Sequence, residues 1–158
     1  ELARAIIPFS AKPGNVHELR VRLMDAMWDD VGVMRDAAGL KLGIEKIASL
    51  KTDMENVGVS ADNLAFNLSW HDWLSLQSLI DTSEVIAKAG LSRENSRGAH
   101  FREDFPDAGS LDDSYFTIAT LGDKGIEVNR EAVKFTIVKP GESLLGADEA
   151  ETLVEAAQ

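Results

Sequence analysis

The sequence predicts a mainly α fold: an antiparallel three-helix bundle, similar to a spectrin repeat, followed by a β-hairpin and an acidic C-terminal tail. Three stretches between residues 15 and 92 place apolar residues every three or four positions, which is the period of one helical face. Short links join these stretches, and short links favour antiparallel neighbours. Beyond residue 114 the period changes, because β-branched and aromatic residues flank a Gly-rich turn.

The first helix is predicted from Val16 to Met34. Pro13-Gly14 marks a turn before it, and Asn15 precedes Glu18 by three residues, which is the spacing of an N-cap and its capping-box partner. One face carries Val16, Leu19, Leu23, Met27, Val31 and Met34, and it is widened by Val21, Met24 and Trp28.

A second helix is predicted to start after Asp36, a suitable N-cap. Its face consists of Leu40, Ile44, Ile47, Lys51 and Met54. Gly39 and Gly43 weaken helix propensity, so they are expected where another backbone comes close, and Gly58 falls just past the helix end.

A third helix follows a polar link, and Ser69 with Asp72 is its expected capping pair. Its face consists of Trp73, Leu76, Ile80, Ser83 and Ala87. Gly90 followed by Leu91 predicts a left-handed C-cap with its hydrophobic contact.

The hairpin is predicted from two strands, Tyr115 to Leu121 and Ile126 to Val138, joined by Gly122-Asp123-Lys124-Gly125. Val133, Phe135 and Ile137 alternate with polar neighbours, so this part of the second strand is expected to be half buried. A lone hairpin is marginal in water, and we expect it to pack on the bundle or on a partner. From Glu142 onward the chain has five acids and no base, which predicts a frayed helix or a tail.

Composition excludes several classes of function. The 158 residues suit one domain, with 44% hydrophobic and 27% charged residues. A net charge of −11 argues against nucleic acid and anionic membrane surfaces as partners. There is no cysteine for a disulfide, a thiolate metal site or a thiol nucleophile. No apolar run is long enough for direct membrane insertion, and no signal peptide is recognisable.

The chemical motifs of an isolated enzyme are not visible either. No glycine-rich dinucleotide fingerprint, phosphate-binding loop or nucleophile elbow is present. His17 is expected to be solvated and His71 to lie in a helix cap, not to bind metal. His100 has acidic neighbours, but nearby arginines would repel a cation. The tryptophans Trp28, Trp70 and Trp73 are expected in the core, not in a stacking platform.

The segment from Ser92 to Asp107, called here the Arg-rich segment, is unusually dense in charge. We hypothesise that it forms an inter-domain polar network made of Arg93, Arg97, His100, Arg102 and Asp104. The alternative is a set of local ion pairs that only brace a turn, each contributing about 0–1 kcal/mol.

Three motifs together resemble a known family. They are Met27-Trp28-x-x-Val31-Gly32-Val33-Met34-Arg35, then Gly39-Leu40, then Arg93-x-x-Ser96-Arg97-Gly98-Ala99-His100-Phe101-Arg102-x-Asp104-Phe105-Pro106. Their order and spacing are similar to the C-terminal helical domain of succinate dehydrogenase and fumarate reductase flavoproteins, and of relatives such as aspartate oxidase. The resemblance covers roughly residues 13 to 139. The chain departs from the family at Asn95, where Glu is common, so an acidic partner of a neighbouring arginine is expected to be lost or replaced by a neutral hydrogen bond.

The resemblance implies a supporting domain of a larger enzyme. Residues 1–14 would link this domain to a preceding flavin domain, which is consistent with a chain that begins at Glu1 and not at Met. Residues 15–107 would form the bundle with the Arg-rich segment. Residues 108–140 would form the hairpin extension, and residues 141–158 the acidic tail. The full-length protein would transfer hydride between a dicarboxylate and FAD. No catalytic, cofactor-binding or metal-binding residue maps onto this chain.

The implied partners are the flavin-binding domain of the same polypeptide and, in multi-subunit members, an iron–sulfur subunit. The implied location is cytoplasmic, at the inner face of a membrane through a complex. Three alternatives stay open: a free-standing, non-catalytic helical interaction module, a fragment of an aspartate oxidase-like flavoprotein, and a small metal-dependent hydrolase around His100.

Overall fold

The structure, a computed structural model, describes residues 2–60, 63–123 and 125–144 and shows a helical domain with a β-hairpin. The helices are α1 (Leu2–Ala5), α2 (Val16–Asp29), α3 (Ala37–Glu55) and α4 (Leu68–Ser92). The strands are β1 (Met34–Arg35), β2 (Phe101–Arg102), β3 (Tyr115–Gly122) and β4 (Gly125–Ala132), with short 3-10 turns at Ile7–Phe9 and Leu111–Asp113. The predicted acidic tail lies outside the described residues, apart from its first four.

Side-chain caps fix where the long helices begin. Asn15 Oδ1 accepts from the Glu18 amide at 3.1 Å, and Asp36 Oδ1 accepts from the Gly39 amide at 2.7 Å, so both predicted N-caps are confirmed. The third predicted cap is wrong, because Asn67, and not Ser69, accepts from the Trp70 amide at 3.0 Å. Asparagine caps a helix as well as serine does, and it stands two residues earlier.

The first long helix is shorter than predicted, since α2 ends at Asp29 and not at Met34. The chain turns tightly at Gly32, where an added Cβ would lie 2.5 Å from the Trp28 carbonyl oxygen. Met34 and Arg35 then form the parallel pair β1–β2 with Phe101 and Arg102. Backbone pairing with a segment about 65 residues away therefore ends the helical pattern, and the apolar spacing could not show this.

The tryptophans do not share one environment. Trp73 is 1% exposed and its Nε1 donates to the Val57 carbonyl at 2.8 Å, as expected of a core residue. Trp70 is half-buried, and its ring meets Phe9 edge-on. Trp28 is 82% exposed, so its predicted core position is wrong. It lies on the same face of α2 as Val21 and Met24, which are 41% and 63% exposed, so this face does not widen the buried stripe as predicted.

One hydrophobic core joins the three long helices. Its buried members come from all three: Leu19, Leu23, Leu40, Ile47, Leu50, Met54, Trp73, Leu76, Ile80 and Ala87, with Val31 and Val59 from the links. The ends of the helices are tied as well, because the Gly58 amide, beyond α3, donates to the Lys12 carbonyl, before α2, at 2.8 Å.

A close backbone, predicted at both glycines of α3, is found only at Gly39, where an added Cβ would lie 3.2 Å from the Asp30 carbonyl oxygen. At Gly43 the close neighbour is a side chain, because a Cβ there would lie 2.7 Å from Val31 Cγ2. The prediction for the glycine of α4 is wrong. Gly90 is not a left-handed C-cap, because α4 continues to Ser92. The Arg93 amide donates to the Gly90 carbonyl, so the helix closes without a residue of positive φ.

The hairpin packs on α4, and its second strand is shorter than predicted. The Lys88 ammonium donates to the Ile126 carbonyl at 3.3 Å, and the Arg130 guanidinium donates to the Ser92 carbonyl. β4 ends at Ala132, paired with Tyr115, because β3 supplies no partner residues beyond that point. Phe135 and Ile137, predicted to be half buried, are 39% and 81% exposed.

The close approach at Gly43 can be tested against Gly90. Gly43→Ala should destabilise the chain by about 1–3 kcal/mol, since overpacking against the stiff Val31 outweighs the better helix propensity. Gly90→Ala should be neutral or stabilising, because its added Cβ would be 3.5 Å from Leu40 Cδ2, an ordinary contact. Urea unfolding of both variants measures this difference. A Gly43→Ala chain as stable as the wild type would contradict the packing at this position.

Candidate functional site

The Arg-rich segment lies between α4 and β3 and wraps the C-terminal end of α4. Two hydrogen bonds of Ser96 hold its shape: the Arg102 amide donates to Ser96 Oγ at 2.9 Å, and that hydroxyl donates to the Phe105 carbonyl at 2.8 Å. The segment also meets the start of α3, because the Glu103 amide donates to the Arg35 carbonyl at 2.7 Å. It therefore joins parts of the chain that are far apart in sequence.

Arg102 is the buried centre of the segment, with 1% of its surface exposed. Its Nη1 donates to the carbonyls of Gly90, Leu91 and Arg93 at 3.0, 3.2 and 3.0 Å. The last carbonyls of a helix have no partners within the helix and form the negative end of its dipole. The Arg102 guanidinium therefore caps α4 with three bonds and a full positive charge.

Asp104 connects this cap to the next helix. Its two oxygens accept from Nε and Nη2 of Arg102, both at 2.7 Å, in a bidentate pair. Oδ2 also accepts at 2.9 Å from the amide of Ala37, the first residue of α3. These bonds to Arg102, with that of the Ala37 amide, lower the pKa of Asp104 from 3.8 to about 2. One ion pair thus spans the C-terminal end of α4 and the N-terminal end of α3.

Arg97 holds the link to the hairpin. Its Nε donates to the Ala108 carbonyl at 2.6 Å, its Nη1 to the Ser114 hydroxyl at 3.0 Å, and its Nη2 to the Ser110 carbonyl. The backbone of Arg97 and His100 closes a turn around Gly98, whose φ of 58° favours glycine. The donors of Arg97 are therefore used within the chain.

His100 contacts Arg35, which was not part of the predicted network. Arg35 Nη1 lies 3.1 Å from His100 Nδ1, and Arg35 Nε donates to the Val31 and Gly32 carbonyls. Burial lowers the pKa of His100, and the charges of neighbouring guanidinium groups lower it too, while a hydrogen bond with the Arg93 backbone acts in the opposite direction. Because a guanidinium only donates, Nδ1 accepts, and the neutral ring carries its proton on Nε2.

Arg93 is the least satisfied member of the network. Its Nη2 donates to Asn95 Oδ1 across a long 3.4 Å, and its Nε is buried without a hydrogen-bond partner among the described residues. Asn95 itself is 8% exposed. The expected replacement of an acidic partner by a neutral hydrogen bond is what the structure shows at this position.

The five predicted residues thus lie in one segment but make three separate sets of contacts. Arg102 and Asp104 join α4 to α3, Arg97 holds the link before β3, and His100 with Arg93 lies beside Arg35. Sequence reasoning missed Arg35 as a member, although it ended the first motif of the resemblance. Its contact with His100 spans 65 positions, and only the β1–β2 pairing brings the two together.

Apolar side chains are exposed where β1 meets β2. Met34 and Phe101 are partners in this pair and are 64% and 37% exposed. Val33, next to Met34, is 75% exposed. We call these three residues the β1–β2 face. The polar groups of the Arg-rich segment mostly point into the chain, and this apolar face stays outside.

The described residues do not fit a flavin or a metal ion. The sequence lacks the glycine-rich loop that cradles a pyrophosphate at a helix N-terminus. Within residues 2–60, 63–123 and 125–144, no group of three His, Asp or Glu side chains could hold a metal ion. His17 and His71 are exposed.

None of the helices in the described ranges is long and apolar enough to span a membrane.

Removing the Arg102 side chain should cost much more than removing an exposed arginine. Arg102→Met leaves the three carbonyls at the end of α4 without their donor, so we expect a loss of about 1–3 kcal/mol in unfolding free energy. The matched control is Arg22→Met, since Arg22 forms an exposed pair with Asp53 at 2.8 Å, and its loss should stay below about 1 kcal/mol. Urea denaturation compares the two. Equal losses would show that Arg102 is not the centre of the segment.

The low pKa of Asp104 predicts a specific acid sensitivity. A carboxyl whose pKa falls from 3.8 to about 2 on folding stabilises the fold above pH 4, and the contribution is lost as the pH falls toward 2. The difference in melting temperature between wild type and Asp104→Asn should therefore be complete at pH 5 and shrink between pH 4 and 2. A difference that stays constant down to pH 2 would contradict the ion pair with Arg102.

Comparison with known proteins places this geometry in a family. The family model described as "Fumarate reductase flavoprotein C-term" matches residues 20–144, which include the Arg-rich segment and the hairpin. The fumarate reductase flavoprotein subunit of Mycobacterium tuberculosis is 30% identical over 135 residues, which are 83% of this chain and 23% of the relative. An uncharacterised FAD-dependent oxidoreductase of Methanocaldococcus jannaschii is 34% identical over 93 residues, 59% of this chain and 16% of the relative.

A solved structure shares the fold. The Mycobacterium smegmatis Sdh1 complex in its apo form contains a chain that superposes with a TM-score of 0.73 at 28% identity, covering 94% of this chain and 26% of that one. This chain therefore spans about a quarter or less of the relatives that it matches. The match over residues 20–144 shows that it belongs to the family of fumarate reductase flavoprotein C-terminal domains.

Proposed function

We propose that this chain acts as the supporting C-terminal domain of a longer flavoprotein that transfers hydride between a dicarboxylate and FAD. The relatives named fumarate reductase flavoprotein subunit and FAD-dependent oxidoreductase support this activity for the whole protein. The chain spans 23% and 16% of these two relatives and does not itself fit a flavin, so FAD is held by another part of the polypeptide.

We propose that the β1–β2 face is the surface by which this domain docks against the flavin-binding domain. Its three apolar residues are exposed beside a segment whose charges are largely used internally. Exposed apolar side chains at neighbouring positions are typical of surfaces that a partner covers. The proposed docking surface is thus apolar, and the polar residues of the Arg-rich segment hold it in place through hydrogen bonds within the chain.

In this proposal the predicted polar network does not itself bind the flavin-binding domain. Arg97, Arg102 and Asp104 act on docking indirectly, because their hydrogen bonds fix the positions of the hairpin link and of the two helix ends. If these residues only brace the turn locally, substituting them should change the stability of the chain but not its docking.

We also infer that α2, α3 and α4 form the antiparallel bundle. The Trp73 indole, near the start of α4, donates to the Val57 carbonyl just after α3, while Gly90, near the end of α4, faces Leu40 at the start of α3. Similarly, the hydrogen bond from the Gly58 amide to the Lys12 carbonyl places the end of α3 next to the start of α2. These contacts support alternating directions.

Further partners follow from the same proposal. An iron–sulfur subunit would accept electrons from the flavin or deliver them to it, and the complex would bind at the inner, cytoplasmic face of a membrane. The description of the Mycobacterium smegmatis structure as a complex supports assembly with further subunits. A free-standing interaction module is the competing function, and it requires no flavin domain.

Charged substitutions in the β1–β2 face test the docking surface. Met34→Glu and Phe101→Glu in the full-length flavoprotein should lower flavin content and fumarate reduction together by tenfold or more, because an unpaired carboxylate in a covered apolar face costs well above the roughly 1.4 kcal/mol of a tenfold change. The control is Met24→Glu on α2, since Met24 is also 63% exposed. It should leave flavin content and activity unchanged.

The same variants of the 158-residue chain should melt near the wild-type temperature, since both sites are exposed. Normal flavin content and activity in Met34→Glu and Phe101→Glu would rule out this face as the docking surface.

A further inference from the structure

A group of exposed apolar side chains lies at the end of the bundle where α4 begins. Leu64, Phe66 and Leu68 are 63%, 99% and 77% exposed, and Ile6 in the N-terminal segment is 50% exposed. Ile6 and Leu64 line the same open groove, so the N-terminal segment and the loop before α4 are neighbours. We call these four residues the Phe66 patch. Exposed apolar side chains grouped in this way are typical of surfaces that a partner covers.

The backbone of Phe66 is in a strained conformation. Within the ranges that the structure describes, Phe66 is the one residue other than glycine with a positive φ, at 53°. A bulky side chain seldom adopts this region, because its Cβ crowds the backbone. Such strain persists where the surrounding structure imposes it, and it is found preferentially at binding sites. The chain keeps this conformation although the Phe66 ring gains no burial from it.

The loop that presents Phe66 is held by its neighbours. Asn67 is 4% exposed, and its Oδ1 accepts from the Trp70 amide at 3.0 Å. Its Nδ2 donates to the Asn63 carbonyl at 2.9 Å. One buried side chain thus ties the start of α4 to the residue three positions before Phe66. The outward position of the Phe66 ring is therefore fixed by the fold.

The N-terminal segment is fixed at the same end of the bundle. Trp70 Nε1 donates to the Ala5 carbonyl at 2.7 Å, and the Phe9 ring meets the Trp70 ring edge-on at 5.5 Å between centres. Leu2 precedes Ile6 by four residues, which is about 6 Å along a helix. In the longer flavoprotein of the proposed function, the polypeptide before Leu2 therefore reaches this chain beside the Phe66 patch.

We propose that the Phe66 patch is a second docking surface, covered by the domain that precedes Leu2 in the longer polypeptide. This inference rests on the proposed function, in which that domain is the flavin-binding domain. Phe66 is the central anchor and enters an apolar pocket of that domain, since aromatic side chains are enriched in the cores of interfaces. Leu64, Leu68 and Ile6 surround the anchor and exclude water from it.

The Phe66 patch and the β1–β2 face lie at opposite ends of α3. This helix begins at Ala37, just after β1, and its 19 residues extend about 28 Å. Beyond its far end, the Trp73 indole donates to the Val57 carbonyl, and the Val59 amide donates to the Pro8 carbonyl. Contacts at both ends fix the orientation of the bundle on its partner, which contacts at one end alone leave free to rotate.

Hydroxyl-radical labelling compares Phe66 with Phe116, which is 58% exposed on β3. In the 158-residue chain, Phe66 should be labelled faster than Phe116. In the full-length flavoprotein without further subunits, labelling of Phe66 should fall by about fivefold or more, because the interface excludes water from its anchors. Labelling of Phe116 is the internal reference. Phe66 labelled equally fast in both proteins would overturn the proposal, and so would protection that disappears on dilution, which indicates a second copy.

The variant Phe66→Asp separates docking from stability. Aspartate adopts a positive φ more readily than phenylalanine, so the 158-residue chain should melt at the wild-type temperature or above it. In the full-length flavoprotein, an unpaired carboxylate in an apolar interface should open the contact and raise the labelling of Leu64 by about fivefold or more. Phe116→Asp is the matched control and should leave Leu64 protected. Unchanged protection of Leu64 in Phe66→Asp would show that Phe66 is not the anchor.

Flavin content of the wild-type full-length protein tests the proposed function separately. A full-length protein without flavin would contradict the proposed function, while protection of Phe66 in that protein would still support the second docking surface. A flavin-loaded protein with unprotected Phe66 would overturn this inference alone. Failure of the β1–β2 face variants to affect docking would likewise leave the Phe66 patch standing.

Discussion

The structure depends most on the position of one buried charge, the Arg102 guanidinium. It donates to three carbonyls at the end of α4 and binds Asp104 through two further bonds, and Asp104 in turn accepts from the first amide of α3. A buried charge costs several kcal/mol unless it is fully paired, so these partners are needed together. The ends of two helices and the turn between α4 and β3 are therefore fixed as one unit.

The contacts of Arg102 and Asp104 explain why the surface around them is apolar although the segment is rich in charge. Because the strongest donors and acceptors are used inside the chain, β2 is held against β1, and the pair exposes Met34 and Phe101. The hairpin is held to the same region by Arg97 and by Arg130, whose guanidinium also lies 4.7 Å from the centre of the Tyr115 ring. The charged residues of the Arg-rich segment therefore act mainly by fixing the positions of the elements around them.

Sequence reasoning succeeded where the signal is local. Two of three N-caps and the buried face of α4 follow from spacing, since capping and amphipathic period act within one or two turns. It failed at the ends of α2 and β4 because distant pairing decides them: β1 with β2 ends the first pattern, and the length of β3 limits β4. It failed at Trp28 because the apolar residues Val21, Met24 and Trp28 lie on a face of α2 that is exposed in this chain. The candidate site was found as a segment from its residue types. Its inward orientation and the contact between Arg35 and His100 depend on folding across 65 positions, which spacing cannot show.

Oxidative footprinting of methionines tests the central claim most directly, namely that an internally braced turn presents an apolar face to the flavin domain. Met34 and Met24 are 64% and 63% exposed in this chain, so hydroxyl radicals should oxidise both at similar rates in the isolated 158-residue protein. In the full-length flavoprotein we expect the oxidation of Met34 to fall at least several-fold while that of Met24 stays unchanged. Equal oxidation of Met34 in both proteins would contradict the account.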